Sequence, residues 1–167
     1  LEARGARFII ESAGNPSLTL PLVQTDKRMP EYGYLRFWFQ RQLKAVLKPQ
    51  TVLIGSSYSI FRDGKNAFRG VKREESSFLH WANKNIRDGV CDMVAIGRQS
   101  LADPLLPAKL EAGKAAEIDW CTACDNCIEF LIRQRPVGCS TYERAYTEEL
   151  KEIRREQGRL AESEKHT

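Results

Sequence analysis

Three short apolar runs at an even spacing constrain this chain most. They are residues 7–12 (RFIIES), 51–56 (TVLIGS) and 91–96 (CDMVAI). Each is rich in Ile, Val or Leu, and none alternates cleanly with polar residues, the pattern of strands covered on both faces. Each ends at or near a glycine, at Gly14, Gly55 and Gly97. Those glycines are 41 (55 − 14) and 42 (97 − 55) residues apart, which is the length of one strand-and-helix unit of a parallel sheet.

The segments between the runs read as helices. From Tyr34 to Lys48, apolar Leu35, Trp38, Phe39, Leu43, Val46 and Leu47 fall at helical spacing, predicting one buried stripe stopped by Pro49. Between Glu74 and Arg87 the predicted stripe is Phe78, Leu79, Ala82 and Ile86, with Glu74 and Glu75 in the first turn and Gly89 beyond the end. Asp103-Pro104 is expected to open a short helix through Leu110, closed by Gly113. The loop at 14–31, with Pro16, Pro21 and Pro30, and the connection at 55–73, with Gly64 and Gly70, both follow strand ends. That is where α/β folds place their chemistry. Residues 142–167 are dense in Glu, Arg and Lys, and Tyr142, Tyr146, Leu150 and Ile153 allow one helical stripe. This predicts a solvated terminal helix docked by one face.

Four cysteines follow the third unit. Cys121, Cys124, Cys127 and Cys139 form C-x2-C-x2-C with a fourth cysteine after eleven residues. Three thiols at such gaps converge on one small centre if the backbone turns tightly, and a fourth from a separate stretch completes the set. That is how four thiolates hold a cubane iron–sulfur cluster. Zinc is the rival, but its ribbons pair C-x2-C with a second C-x2-C, and the arrangement here is three plus one. The spacing favours iron–sulfur over zinc, and either metal over four unligated thiols. The fifth, Cys91, opens an apolar strand without a nearby His or cationic pair and reads as a small buried hydrophobe.

An anion site is a second candidate. Gly55-Ser56-Ser57 and Gly97-Arg98 lie one unit apart at strand ends, where neighbouring loops of a parallel barrel aim N–H groups at one phosphate. Glycine permits close approach, Arg98 can donate two parallel hydrogen bonds, and a helix start near residues 100–103 adds positive dipole. The pattern equally describes tight turns with Arg98 paired to a carboxylate. Glu11 and Asn15 face either a ligand or a solvated turn, while Tyr58 and Phe61 either stack on a flat ligand or pack. His80 reads as structural, His166 lies in the charged tail, and there is no Gly-x-Gly-x-x-Gly.

Composition narrows the class. Lys and Arg number 26 against 22 Asp and Glu, a net charge of +4 with signs interleaved, which gives no basic stripe for nucleic acid. No apolar run reaches the length of a membrane span. Three Trp, five Tyr and seven Phe can supply a core. Five cysteines without a signal-peptide pattern fit a reducing, cytoplasmic setting. The chain starts Leu1-Glu2 without Met and reads as a fragment.

Residues 88–113 (DGVCDMVAIGRQSLADPLLPAKLEAG), then WCTACDNC and Cys139, resemble the Old Yellow Enzyme-like NADH:flavin oxidoreductases. The closer likeness is to their iron–sulfur branch, which includes 2,4-dienoyl-CoA reductase and trimethylamine dehydrogenase. The resemblance implies a (β/α)8 barrel that binds FMN at its strand ends, with the three strands here as strands six to eight. It makes residues 1–119 the FMN-binding part, 120–141 the cluster-binding segment and 142–167 a helical tail. Gly55, Ser56, Ser57, Gly97 and Arg98 would hold the FMN phosphate, and Cys121, Cys124, Cys127 and Cys139 a [4Fe–4S] cluster. The implied activity is reduction of an activated C=C bond or oxidation of an amine, with NAD(P)H or a separate redox partner exchanging electrons. The family's substrate-polarising and proton-donating residues lie in earlier strands, so none is assigned here. The multidomain members continue into FAD- and nicotinamide-binding domains, whereas this chain runs only 26 residues (167 − 141) past the cluster segment. The rival readings are a truncated, non-enzymatic module with structural zinc, and a domain acting on a sugar or nucleotide phosphate.

Three parallel strands do not close a barrel, so barrel-facing side chains are left wet and a sheet edge is left unpaired. The chain by itself is therefore expected to be unstable, oligomeric, or held against another copy or the missing half. Size-exclusion chromatography is expected to show association or aggregation, and a compact, well-folded monomer contradicts the expectation.

Overall fold

The computed structural model describes residues 1–12, 31–62, 72 and 74–164, in two compact units, Leu1–Gly97 and Arg98–Thr167. The expectations that fall on Gly14, Asn15, Pro16, Pro21, Pro30, Gly64, Gly70 and His166 lie outside the described residues.

In the first unit the three apolar runs form a parallel sheet in the order β1-β2-β3: β1 (Phe8–Ile10), β2 (Val52–Gly55) and β3 (Met93–Val94). Phe8 pairs with Val52, Ile10 with Ile54, and Ile54 with Met93. Helix α1 (Glu31–Val46) packs on β2, and α2 (Phe78–Arg87) packs on β3. The expectation of strands covered on both faces is corrected. Leu53 and Gly55 are buried on the face that meets α1. Phe8, Ile10 and Met93 share the other face and are 67%, 60% and 52% exposed. Val52 and Ile54, paired with them on that face, are half-buried, so the face is only partly removed from water.

The predicted stripe of α1 is also corrected. The buried positions are Gly33, Arg36, Phe37 and Gln40, while Leu35, Trp38 and Val46 are exposed. The buried stripe keeps helical spacing but lies two residues away, about 200° around the helix at about 100° per residue. Its cause is the Glu11 carboxylate, buried just beyond β1. Arg36 Nε donates to Glu11 Oε2 at 2.8 Å and Gln40 Nε2 to the same oxygen at 3.2 Å. A buried carboxylate without such partners costs far more than exposing a few aliphatic side chains.

Below this network lies an aromatic core. Phe37 stacks on Phe61 at 5.4 Å and lies 4.9 Å from Tyr58, and Trp81 meets Tyr34 edge-on at 5.3 Å. Tyr34 Oη and Trp81 Nε1 both donate to the carbonyl of Glu75, at 2.9 and 2.8 Å. Tyr58 and Phe61 are completely buried here, which decides between packing and ligand stacking in favour of packing. The Ser77 hydroxyl caps α2 by accepting from His80 N at 3.3 Å. Gly89 follows the helix at φ 67°, as its placement predicts. Glu74 and Glu75 belong to a separate 3-10 turn, and Asn85 rather than Ile86 is buried, because its amide donates to Tyr58 Oη at 2.8 Å.

The second unit is helical: α3 (Arg98–Ala102), α4 (Leu106–Glu111), α5 (Asn126–Ile132) and α6 (Arg144–Glu164). Phe130, Leu150 and Ile153 form its core, with Val137 and Tyr146 against them, so the tail docks by one face as expected. Asp103-Pro104 does not open a helix but separates α3 from α4, and α3 starts at Arg98 rather than near residues 100–103. The Asp103 carboxylate instead gathers the chain. It accepts from Lys109 Nζ at 2.6 Å and from the amides of Leu105 and Asp119 at 3.0 Å each. No described helix is long and apolar enough to cross a membrane.

Burial alone would raise the Asp103 carboxyl, but the Lys109 ammonium and the two amides outweigh it and hold the group below its ordinary value. A depressed carboxyl stabilises the fold above its unfolded value of about 3.9 and loses that contribution as pH falls through the folded value. Asp103→Asn is expected to cost about 1–3 kcal/mol at neutral pH and to flatten the acid limb of the stability profile. Denaturant melts from about pH 7 down to about pH 2, across the carboxylate range, check both.

Candidate metal centre

The four cysteines reach one place from two stretches of chain. Buried Gln99 on α3 fixes the first stretch: its Nε2 donates to the Asp119 carbonyl at 3.0 Å, and its Oε1 accepts from the Cys121 amide at 2.8 Å. The backbone then reverses sharply. Ala123 stands at φ 46° and Asp125 at φ 63°, both left-handed and neither a glycine. The Ala123 amide turns back onto Cys121 Sγ at 3.4 Å. Cys127 lies in the first turn of α5. Cys139 arrives from the segment between α5 and α6, where Asn126 Nδ2 donates to Ser140 Oγ at 3.1 Å and Thr147 Oγ1 to the Ser140 carbonyl at 2.7 Å.

Cys121, Cys124, Cys127 and Cys139 all line one small cavity, together with Arg98 and Asn126. Its free volume is about 20 Å³, room for about one water. Among the described residues no three His, Cys, Asp or Glu side chains are gathered closely enough to hold a single metal ion. The thiols thus share a cavity without meeting at a point. The donor set itself fits iron–sulfur or zinc: four thiols, with backbone N–H groups turned onto sulfur.

The thiols differ electrostatically. Burial pushes Cys127 up to about 11, with the neighbouring Cys121 sulfur adding to it, and burial also raises Cys121. In both cases the Arg98 guanidinium pulls the other way. At exposed Cys124, burial is outweighed by the Thr122 hydroxyl, the Asn126 amide and Thr141, and the thiol is lowered. Cys91, outside this site, is buried beside Tyr58 Oη at 3.6 Å and raised by that burial, as a packing residue would be.

The residues expected to form an anion site are distributed as follows. Gly55 ends β2, and a Cβ there would strike the Gln40 side chain and stand 3.1 Å from Cys91 Sγ. Its glycine is therefore required by packing. Ser56 Oγ donates to the Glu11 carbonyl at 2.7 Å and accepts from Arg36. Ser57 is left-handed at φ 75°. Gly97 has open space where a Cβ would stand. Arg98 opens α3, and its guanidinium is ion-paired with Asp125, the carboxylate pairing that the sequence pattern allowed.

Two features of the site escape the cysteine spacing. The first is Gln99, whose burial nothing in the sequence signals. The second is Gly138, next to Cys139, where a Cβ would collide with the Tyr146 ring. A glycine directly before a ligand candidate was the available clue.

No family model matches the chain. Three curated relatives match part of it. A bilirubin reductase of Mediterraneibacter gnavus is 40% identical over 55 residues, 32% of this chain and 9% of that protein. A metal reductase of Desulforamulus reducens is 33% identical over 55 residues, 32% of this chain and 8% of its own length. A dimethylamine dehydrogenase of a Hyphomicrobium species is 30% identical over 69 residues, 36% of this chain and 9% of its own. The matches thus span about a tenth of each relative's length, and all three relatives are named as reductases or dehydrogenases.

Gly138→Ala is expected to displace Tyr146 from its edge-on contact with Phe130 and to destabilise the second unit by about 1–3 kcal/mol, the usual cost of overpacking. Adding Tyr146→Ala removes the clash, so the double variant is expected to lose less than the sum of the two. Thermal unfolding of the four proteins measures the coupling, and strict additivity contradicts the assignment.

Proposed function

We propose that this chain is part of an FMN- and [4Fe–4S]-dependent oxidoreductase of the NADH:flavin oxidoreductase, or ene-reductase, type. The single observation that carries the reading is the convergence of four thiols, from two separated stretches, on one cavity. Its support is threefold. The donor set is all sulfur. The parallel strands leave one apolar face open, as strands taken from a larger barrel would. The partial relatives are named for redox reactions.

In this reading Cys121, Cys124, Cys127 and Cys139 ligate the cluster as thiolates, and Gln99 and the left-handed Ala123 and Asp125 orient their loop. The backbone at Gly55, Ser56, Ser57 and Gly97, continuing into Arg98, receives the FMN phosphate. When bound, FMN supplies hydride exchange with an activated C=C bond or an amine, and the cluster supplies single-electron exchange with a redox partner. The Glu11–Arg36–Gln40 network holds α1 against β2 and keeps the strand ends in register. The residues that polarise substrate and move its proton belong to other parts of the enzyme, as does any NAD(P)H site. The setting is cytoplasmic, where thiolates remain reduced.

Anaerobic reconstitution with iron, sulfide and FMN tests the reading. The expected product is brown, with about four irons and four acid-labile sulfides per chain and a rhombic spin signal on reduction. Serine at any of the four cysteines is expected to reduce iron content sharply, whereas Cys91→Ser leaves it unchanged. Stoichiometric zinc with no iron uptake overturns the reading in favour of a structural module.

A further inference from the structure

The sequence offers Arg98 either a phosphate or a carboxylate partner, and its side chain meets the carboxylate of Asp125. Arg98 lines the cavity of the four cysteines and is the cationic side chain that does so. It is held there by Asp125, which lies in the cysteine loop between Cys124 and Cys127. The two side chains are 15% and 29% exposed, so solvent screens the guanidinium only in part. Asp125 adopts a left-handed backbone at φ 63°, a conformation that Asp tolerates better than most residues. The loop thus turns tightly and presents a carboxylate to the cation at the same point.

We propose that Arg98 is an electrostatic positioning residue of the cysteine centre: clamped by Asp125, it sets the charge beside the four sulfurs and raises the reduction potential of the cluster they hold. This deepens the iron–sulfur reading and rests on it. Four thiolates make the centre anionic, and an added electron makes it more so. A fixed cation close by stabilises the reduced form more than the oxidised form, and net charge near the sulfurs is a recognised lever on such potentials. Asp125 opposes it by partly neutralising the guanidinium. The two side chains therefore act on the potential in opposite directions, which a purely structural clamp would not do. An Arg has the further property of remaining charged at every accessible pH.

The test is a redox titration of the reconstituted chain, followed by electron spin resonance. Arg98→Gln is expected to make reduction about tenfold less favourable, about 59 mV lower for a one-electron couple. Asp125→Asn is expected to shift the potential upward, and Arg98→Lys to stay near the parent value. The opposite signs at Arg98 and Asp125 carry the proposal even where Arg98→Gln lowers cluster occupancy, because the Asn and Lys variants are read independently. A cluster whose potential is unmoved by Asp125→Asn and Arg98→Gln, or moved the same way by both, overturns this assignment and leaves the iron–sulfur reading standing. Failure of the parent chain to take up iron and sulfide overturns both.

Discussion

Cysteines separated by only two residues reach a common cavity when the backbone between them abandons helix and strand. Here the reversal is made by Ala123 and Asp125 in left-handed conformation. For an L-residue such as alanine that conformation costs roughly 1–2 kcal/mol, and Ala123 is buried besides, at 3% exposure. The unfavourable backbone is held by what surrounds it: the Gln99 amide on either side of Trp120, the Arg98–Asp125 ion pair, and the Tyr142 hydroxyl donating to the Trp120 carbonyl at 2.8 Å. A small helical unit has little reason to maintain such a loop for packing alone. In the proposed reading this strain, concentrated beside four thiols, holds them in place before a cluster binds, so that less freedom is lost on binding.

The first unit is organised by a different constraint, the carboxylate of Glu11 at the end of β1. Arg36, Gln40 and Ser56 converge on it or on its carbonyl, and these contacts rotate α1 to present a polar stripe inward. Glu11 Oε1 nevertheless has no hydrogen-bond partner among the described residues, an omission that ordinarily costs about 1–3 kcal/mol. A buried ion pair of this kind adds little net stability over an apolar isostere. Its effect is on geometry: it ties the first strand, the first helix and the end of the second strand at a single point.

Much of the fold was legible because its signals are local. Three strands were marked by apolar runs, their order and direction by a spacing near forty residues, and helix ends by Gly89 and Gly113. The cysteine spacing marked the four residues that line one cavity in the second unit. What failed was inference about facing. For α1, apolar periodicity pointed to Leu35, Trp38 and Val46, but the inward face belongs to Arg36 and Gln40, because a charge on another element must be met. In α2, Asn85 is buried and Ile86 exposed, because the Asn85 amide meets the buried Tyr58 hydroxyl. Gly55 was read as a close approach for a ligand, and a second demand on it, space for Gln40 fifteen residues earlier on a different element, was not legible in the sequence.

By itself, then, the order of residues determined which segments become strands and helices and how the four cysteines are spaced, since backbone propensity and residue spacing act over a few residues along the chain. Only the tertiary structure decided which side of each helix is buried, where Arg98 directs its charge, and why Gly138 and Gln99 stand where they do. Those outcomes depend on the burial of polar groups against partners far away in sequence. The energy of an unpaired charge or a colliding ring exists only once the elements have met.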